Sequence, residues 1–250
     1  MVVDTAPAPT QAALPDRGVV PGGGRVTAAK APSPRSRVRR IPKRAAYDAA
    51  TIAAVLDAGV VAHLGFVVDG QPYVIPTLHA RVGDAIYVHG SGASRAIRAL
   101  GTGAPACLTV THLDGIVLAR SASHHSINYR SAVVLGQAVT VTGSDEKLRA
   151  LEAFMERVTP GRWAEVRAPD DRELKATAVL RFDLGEASVK LRTGGPVDDE
   201  ADLGLPAWAG VLPLHLAAGL LEPAHDLDPR IEPSPAVRAL LGRFGPGSDG

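Results

Sequence analysis

The chain holds one cysteine and two methionines among 250 residues, and aromatic side chains make up only 4% of it. The lone thiol, Cys107, excludes an internal disulfide framework and any zinc site built from cysteines. It sits in the apolar run 106–110 and reads as a small buried hydrophobe rather than a reactive group. No stretch supplies the roughly 20 apolar residues of a membrane-crossing helix. The nearest approach, 208–221, is interrupted by Pro213 and His215. No secretory leader is recognisable, so the expected location is cytoplasmic. A P-loop, a glycine-rich dinucleotide turn after a strand, HExxH and GxSxG are all missing. His124 and His125 are adjacent and would point apart on a strand, so no metal site is expected.

What is present is ordinary for a globular protein: 46% hydrophobic and 21% charged residues. The near-even balance of 27 basic and 26 acidic residues hides an asymmetry. Nine Lys or Arg and no acid lie between Arg17 and Tyr47. From Asp48 onward, 18 of the basic and 24 of the acidic residues remain. Basic arms bind nucleic acid in some proteins, but an acidic body opposes that, and nucleic acid is not the expected partner. Residues 1–36 are rich in Pro, Gly, Ala and Arg without apolar periodicity, and are expected to be a disordered arm.

Order is expected over 37–196. Asp48 is placed to cap a helix carrying Ile52, Val55 and Leu56, with Gly59 at its end. The period then shortens to two over 60–68, 71–80 and 85–89, which read as strands. Asp69-Gly70 between the first two is a type I′ hairpin signal. A short helix follows over 95–100. Strands 106–112 and 116–121 flank a second candidate turn, Asp114-Gly115. A long strand is expected over 131–142, with Gly136 marking a bulge or a sharp bend. Ser144 is the expected cap of a helix whose stripe is Leu148, Leu151, Phe154, Met155 and Val158. The last strands are expected over 176–184 and 187–192. Tight turns between strands predict a mainly antiparallel sheet, and closing it into a barrel removes exposed edges. The acidic, Pro-rich tail 197–250 holds one apolar island, 208–214, which needs the barrel or a partner subunit to pack on.

One segment stands out chemically: His89-Gly-Ser-Gly-Ala-Ser-Arg95. Small residues at the end of a strand, a hydroxyl and a guanidinium suit a phosphate. Taken with Pro72-Tyr-Val-Ile-Pro-Thr77, Tyr129-Arg-Ser131 and Ser188-Val-Lys190, in that order and spacing, the chain resembles the FMN-binding split barrels of the pyridoxamine 5′-phosphate oxidase-like superfamily. Within it, the sequence is most similar to the branch containing the nitroimidazole-resistance reductases.

The resemblance implies a mainly β fold with peripheral helices, an antiparallel split barrel, working as a homodimer with FMN at its interface. It implies that Tyr73, Val74, Ile75, Pro76 and Thr77 lie along the flavin ring, and that His89, Gly90 and Ser91 reach the ring or ribityl chain. Ser94 and Arg95 match phosphate-binding positions, and Tyr129, Arg130 and Ser131 a second bordering strand. Trp163 and Lys190 match positions that close the site across the dimer. His89 matches a histidine beside the reacting centre and is the expected catalytic residue. The implied activity is reduction of a small electron-poor substrate, a nitro compound or quinone, with nicotinamide-derived electrons. The resemblance also admits a flavin carrier without turnover, or a split barrel holding haem or deazaflavin. Ala96 stands where a basic residue commonly follows the phosphate-binding arginine. The Arg/His cluster that holds pyridoxal phosphate in the true oxidases is absent after Lys190, so oxidation of vitamin B6 is not expected.

Overall fold

The computed structural model describes residues 30–244. Ten strands form a single antiparallel sheet: β1 (Ala45–Ala46), β2 (Val61–Val68), β3 (Gln71–Val82), β4 (Ala85–Ser91), β5 (Pro105–Leu118), β6 (Ser126–Gln137), β7 (Val139–Thr140), β8 (Thr177–Asp183), β9 (Ala187–Arg192) and β10 (Gly210–Pro213). Helices α1 (Ala49–Ala58), α2 (Arg95–Gly101), α3 (Ser144–Val158), α4 (Asp171–Ala176) and α5 (Pro235–Arg243) surround it. Among them no helix is long and apolar enough to cross a membrane.

The order β1-β9-β6-β5-β2-β3-β4-β8-β7 explains how the sheet closes. Strand β6 lies near one end of that run, and its continuation β7, one residue further along the chain, pairs with β8 at the other end. β3 is shared in the same way: Gln71–Leu78 pairs with β2 and His79–Val82 with β4. The result is a barrel split where β3 and β6–β7 pass from one half to the other, as the sequence implied. Cross-strand partners point to the same face. One face buries Leu64, Phe66, Leu108, Val110 and Val134 in the barrel core. A second cluster, with Ala80, Tyr87 and Phe154, lies between α3 and the outside of β3 and β4.

Local chemistry accounts for most boundaries. Asp48 accepts from the Thr51 backbone at 2.8 Å to cap α1. Asp69 and Gly70 both have positive φ, at 50° and 78°, the requirement of the type I′ turn. At the end of α1, a Cβ on Gly59 would stand 2.4 Å from Val110 Cγ1, so only glycine lets the helix approach β5. Leu108 sits at the centre of the core, fully buried between Leu64 and Val134. Leu108→Ala should cost about 2–5 kcal/mol, read as a lower urea midpoint with an unchanged m-value.

Five expectations need correction. Asp114-Gly115 is not a hairpin. β5 runs straight through it, and Asp114 is the extra residue of a bulge between the pairs Leu113–Tyr129 and Gly115–Asn128. Arg130 grips the Asp114 carboxylate at 3.0–3.2 Å, and that ion pair stabilises the bulge. β6 begins at Ser126 rather than 131, and the barrel bend falls at Ala138 rather than Gly136. Ser144 is the first residue of α3, not its cap, which is Gly143. The folded chain also starts before residue 37: Ser36 is buried and Arg35 pairs with Glu186. The rest of the expected disordered arm, 1–29, lies outside the described residues. The apolar island finds a partner in the barrel, since β10 pairs with the half of β5 that β2 leaves free.

His79 is fully buried, with Nε2 hydrogen-bonded to the Leu56 carbonyl at 3.0 Å. Burial holds its pKa below the ordinary imidazole value, and that of His89 shifts the same way. The unfolded chain therefore binds more protons than the native one once pH falls below about 6.5, the imidazole's unperturbed value. Stability should hold above that pH and decline as pH falls through it. Melting temperature should drop between pH 7 and pH 5.5, and His79→Gln should flatten that slope.

Candidate functional site

The register sorts the expected site residues onto two faces. Val74 and Pro76 project from the outside of β3, in line with Gly65 and His63 on β2. The same outward row continues through Cys107 and Thr109 on β5, Leu135 and Val133 on β6, and Ser188 on β9. Tyr129, Ser131 and Lys190 stand on that outer face, further along β6 and β9. Tyr73, Ile75 and Thr77 point to the core side instead. The structure brings Ser131 and Lys190 together as a cross-strand pair. It does not bring them to Val74 and Pro76: β5 and β2 separate β6 from β3 by about 14 Å at the usual strand spacing, and β9 lies one strand further off.

The turn after β4 takes the expected form. Ser94 caps α2 by accepting from the Ile97 backbone at 3.3 Å, and Ser91 accepts from the Ala93 backbone at 3.3 Å. Both hydroxyls keep their protons free to donate. The Arg95 guanidinium lies 4.5 Å above the Tyr73 ring, which itself stacks on Phe66 at 5.6 Å. Among the described residues Arg95 forms no ion pair. A preorganised, uncompensated guanidinium beside two hydroxyls suits an anionic oxygen. Arg130 is differently engaged, in its pair with Asp114.

His89 and Trp163 meet elsewhere, in a cleft of about 440 Å³ between α3, the outside of β3–β4 and the segment leading into α4. Leu151, Phe154, Met155 and Val158 of α3 form its apolar wall, and Arg167 lines it too. The His89 ring lies 4.4 Å from that of Phe154, tilted by 56°. Its Nδ1 is shut off from solvent without a hydrogen-bond partner. Arg167 is held by Glu173 at 2.8–2.9 Å, and Glu173 completes a capping box with Asp170. These contacts pull the Glu173 carboxyl down to about 2.

Leu151, Phe154 and Met155 read in the sequence as a core stripe, and nothing local marks Arg167. A signal was available. The stripe of α3 has five large apolar positions, yet of these only Phe154 is fully buried. A helix more apolar than its sheet requires has a cleft to line.

A family model for pyridoxamine 5′-phosphate oxidase matches residues 48–191. The flavocytochrome Anf3 from Azotobacter vinelandii is 40% identical, covering 84% of this chain and 98% of its own, with a TM-score of 0.80. An FAD- and haem-binding protein from Mycobacterium smegmatis is 37% identical over 82% of this chain and 100% of its own, with a TM-score of 0.77. A candidate 5-nitroimidazole antibiotic resistance protein from Bacteroides thetaiotaomicron shares the fold at 20% identity, covering 58% of this chain and 85% of its own, with a TM-score of 0.50. No curated protein sequence gives a significant match. With more than half of its residues inside the family model, the chain belongs to the pyridoxamine 5′-phosphate oxidase family of split barrels.

Proposed function

We propose that this protein is a homodimeric, flavin-dependent oxidoreductase that also carries haem. The observation that carries this reading is the likeness, at 40% and 37% identity over more than four-fifths of the chain, to one protein named a flavocytochrome and one named for binding FAD and haem. That likeness extends well beyond the 144 residues of the family model, 48–191, so it includes parts of this chain outside the barrel common to the family.

The residues fit a flavin. Arg95, with Ser91 and Ser94, suits its phosphate. The outer face offers Val74 and Pro76 as an apolar bed for a flat ring. Tyr129, Ser131 and Lys190 lie too far along that face to serve the same ring alone, and they serve the ring bound by the second copy. The occupant of the outer face is therefore a second copy of this chain, arranged so that the same patch serves both. The face is suitably apolar: Val67, Val74, Leu113, Ile127 and Leu212 are 44–67% exposed on it. FMN is the form the sequence resemblance implies, whereas FAD is the form named in the Mycobacterium smegmatis protein; the Arg95 contact serves either.

A flavin accepts two electrons as hydride and can release them one at a time. Held by Arg95, Ser91 and Ser94, a bound flavin would supply the step between a two-electron nicotinamide donor and a one-electron haem acceptor. A nitro compound or quinone is the alternative electron acceptor. The test is denaturation of the purified protein with mass analysis of what is released, an optical spectrum, and anaerobic mixing with NADH or NADPH. Release of a flavin and haem, with haem reduction dependent on flavin, is expected. A protein that takes up neither group on reconstitution overturns the reading.

A further inference from the structure

We propose that His89 would ligate the iron of a haem held in the cleft beneath α3. The inference rests on the two-cofactor reading above and deepens it by assigning the second group to a place. It departs from the proton-delivery role that the sequence resemblance implies for the same ring.

The chain holds eight histidines. His79 and His112 spend Nε2 on the backbone carbonyls of Leu56 and Val55, each at 3.0 Å. His124 and His125 are tied through Nδ1 to Ser121, its hydroxyl at 2.7 Å and its carbonyl at 3.0 Å, which leaves Nε2 open, but neither lines the cleft beneath α3 or the two larger clefts. His63 stands exposed on the outer face of β2. His215 and His225 are exposed in the C-terminal segment. His89 lines an apolar cleft, and neither of its ring nitrogens is hydrogen-bonded. Nδ1 is sealed from solvent, so Nε2 is the nitrogen that can reach a ligand. Burial favours the neutral ring, the form that ligates a metal.

The surroundings match the rest of the group. The cleft, about 440 Å³, lies within the roughly 300–1,000 Å³ usual for ligand sites. Phe154, Trp163, Leu151 and Met155 offer flat or flexible apolar surface to a macrocycle. Arg167 spends three of its N–H groups on Ala168 and Glu173, leaving two of its five donors for a propionate. Two larger clefts, about 850 and 810 Å³, lie under the C-terminal segment and beside residues 30–47, and neither is lined by a histidine.

The test uses the full-length protein reconstituted with hemin, compared with His89→Ala and with His225→Ala as a control at an exposed site. Optical and electron paramagnetic resonance spectra report the ligand field, whatever the activity. Wild type and His225→Ala should give the same spectra. His89→Ala should lose at least 10-fold in haem retention or shift its spectrum, and added imidazole should restore the wild-type signal. Recovery of the signal with imidazole separates ligand loss from misfolding, which added imidazole would not repair. If His89→Ala keeps the wild-type haem spectrum, the assignment is overturned while the two-cofactor reading stands. If wild type binds no haem, both fail.

Discussion

Val74→Glu should convert the dimer into a monomer. Val74 lies on the outer face of β3, 67% exposed in the single chain, on the face assigned to the second copy. At a two-fold interface each substitution appears twice. An unpaired buried carboxylate costs about 3–5 kcal/mol. Counting both copies, the dimer dissociation constant should rise by about four orders of magnitude or more, at about 1.4 kcal/mol per decade. Val197→Glu, at a position also exposed but outside the sheet, should leave the dimer intact. Sedimentation at micromolar concentration reads the difference directly. Flavin content should fall with the dimer, because Tyr129, Ser131 and Lys190 would then face solvent. A Val74→Glu protein that still sediments as a dimer would place the interface on another face.

Flavin affinity should fall 10- to 100-fold in Arg95→Ala. A charge-assisted hydrogen bond is worth about 1.5–3 kcal/mol, which converts to one to two decades. Riboflavin has no phosphate, so its affinity should hardly change. Arg95 also rests on Tyr73, a cation–π contact of about 0.5–1 kcal/mol at an exposed site. Arg95→Lys keeps a charge but not the flat fork that stacks and pairs, and should fall between wild type and alanine. Titration of the flavin-free protein, followed by flavin fluorescence, gives all six constants. Equal losses for both ligands would show that Arg95 supports the fold rather than the phosphate.

These predictions draw on residues of different legibility. The turn His89–Ser91 and the cap Ser94 were readable because strand ends, small residues and capping hydroxyls act within a few positions of one another. Tyr73 was identifiable as a site residue, but its stacking with Arg95 joins positions 22 residues apart and is visible only in three dimensions. Trp163 and His89 were both expected near a cofactor. That they share a cleft with Arg167 depends on how α3 and the following segment fold back across β3 and β4.

The sequence by itself determined the elements whose causes are local. Asp48 and Ser94 as caps, the positive φ values at Asp69 and Gly70, and strand β9 at 187–192 all follow from neighbouring residues. Tertiary structure decided whatever depends on a distant partner. Asp114-Gly115 has the composition of a turn, yet Arg130 on the next strand holds Asp114 in a bulge and lets β5 continue. The same pattern of alternating apolar residues runs through β2 and β3, but only the pairing shows that one face fills the barrel while the other is left bare. The physical reason is range: capping and turn chemistry act over three or four residues, whereas packing and ion pairing act between any residues the fold brings within a few ångströms.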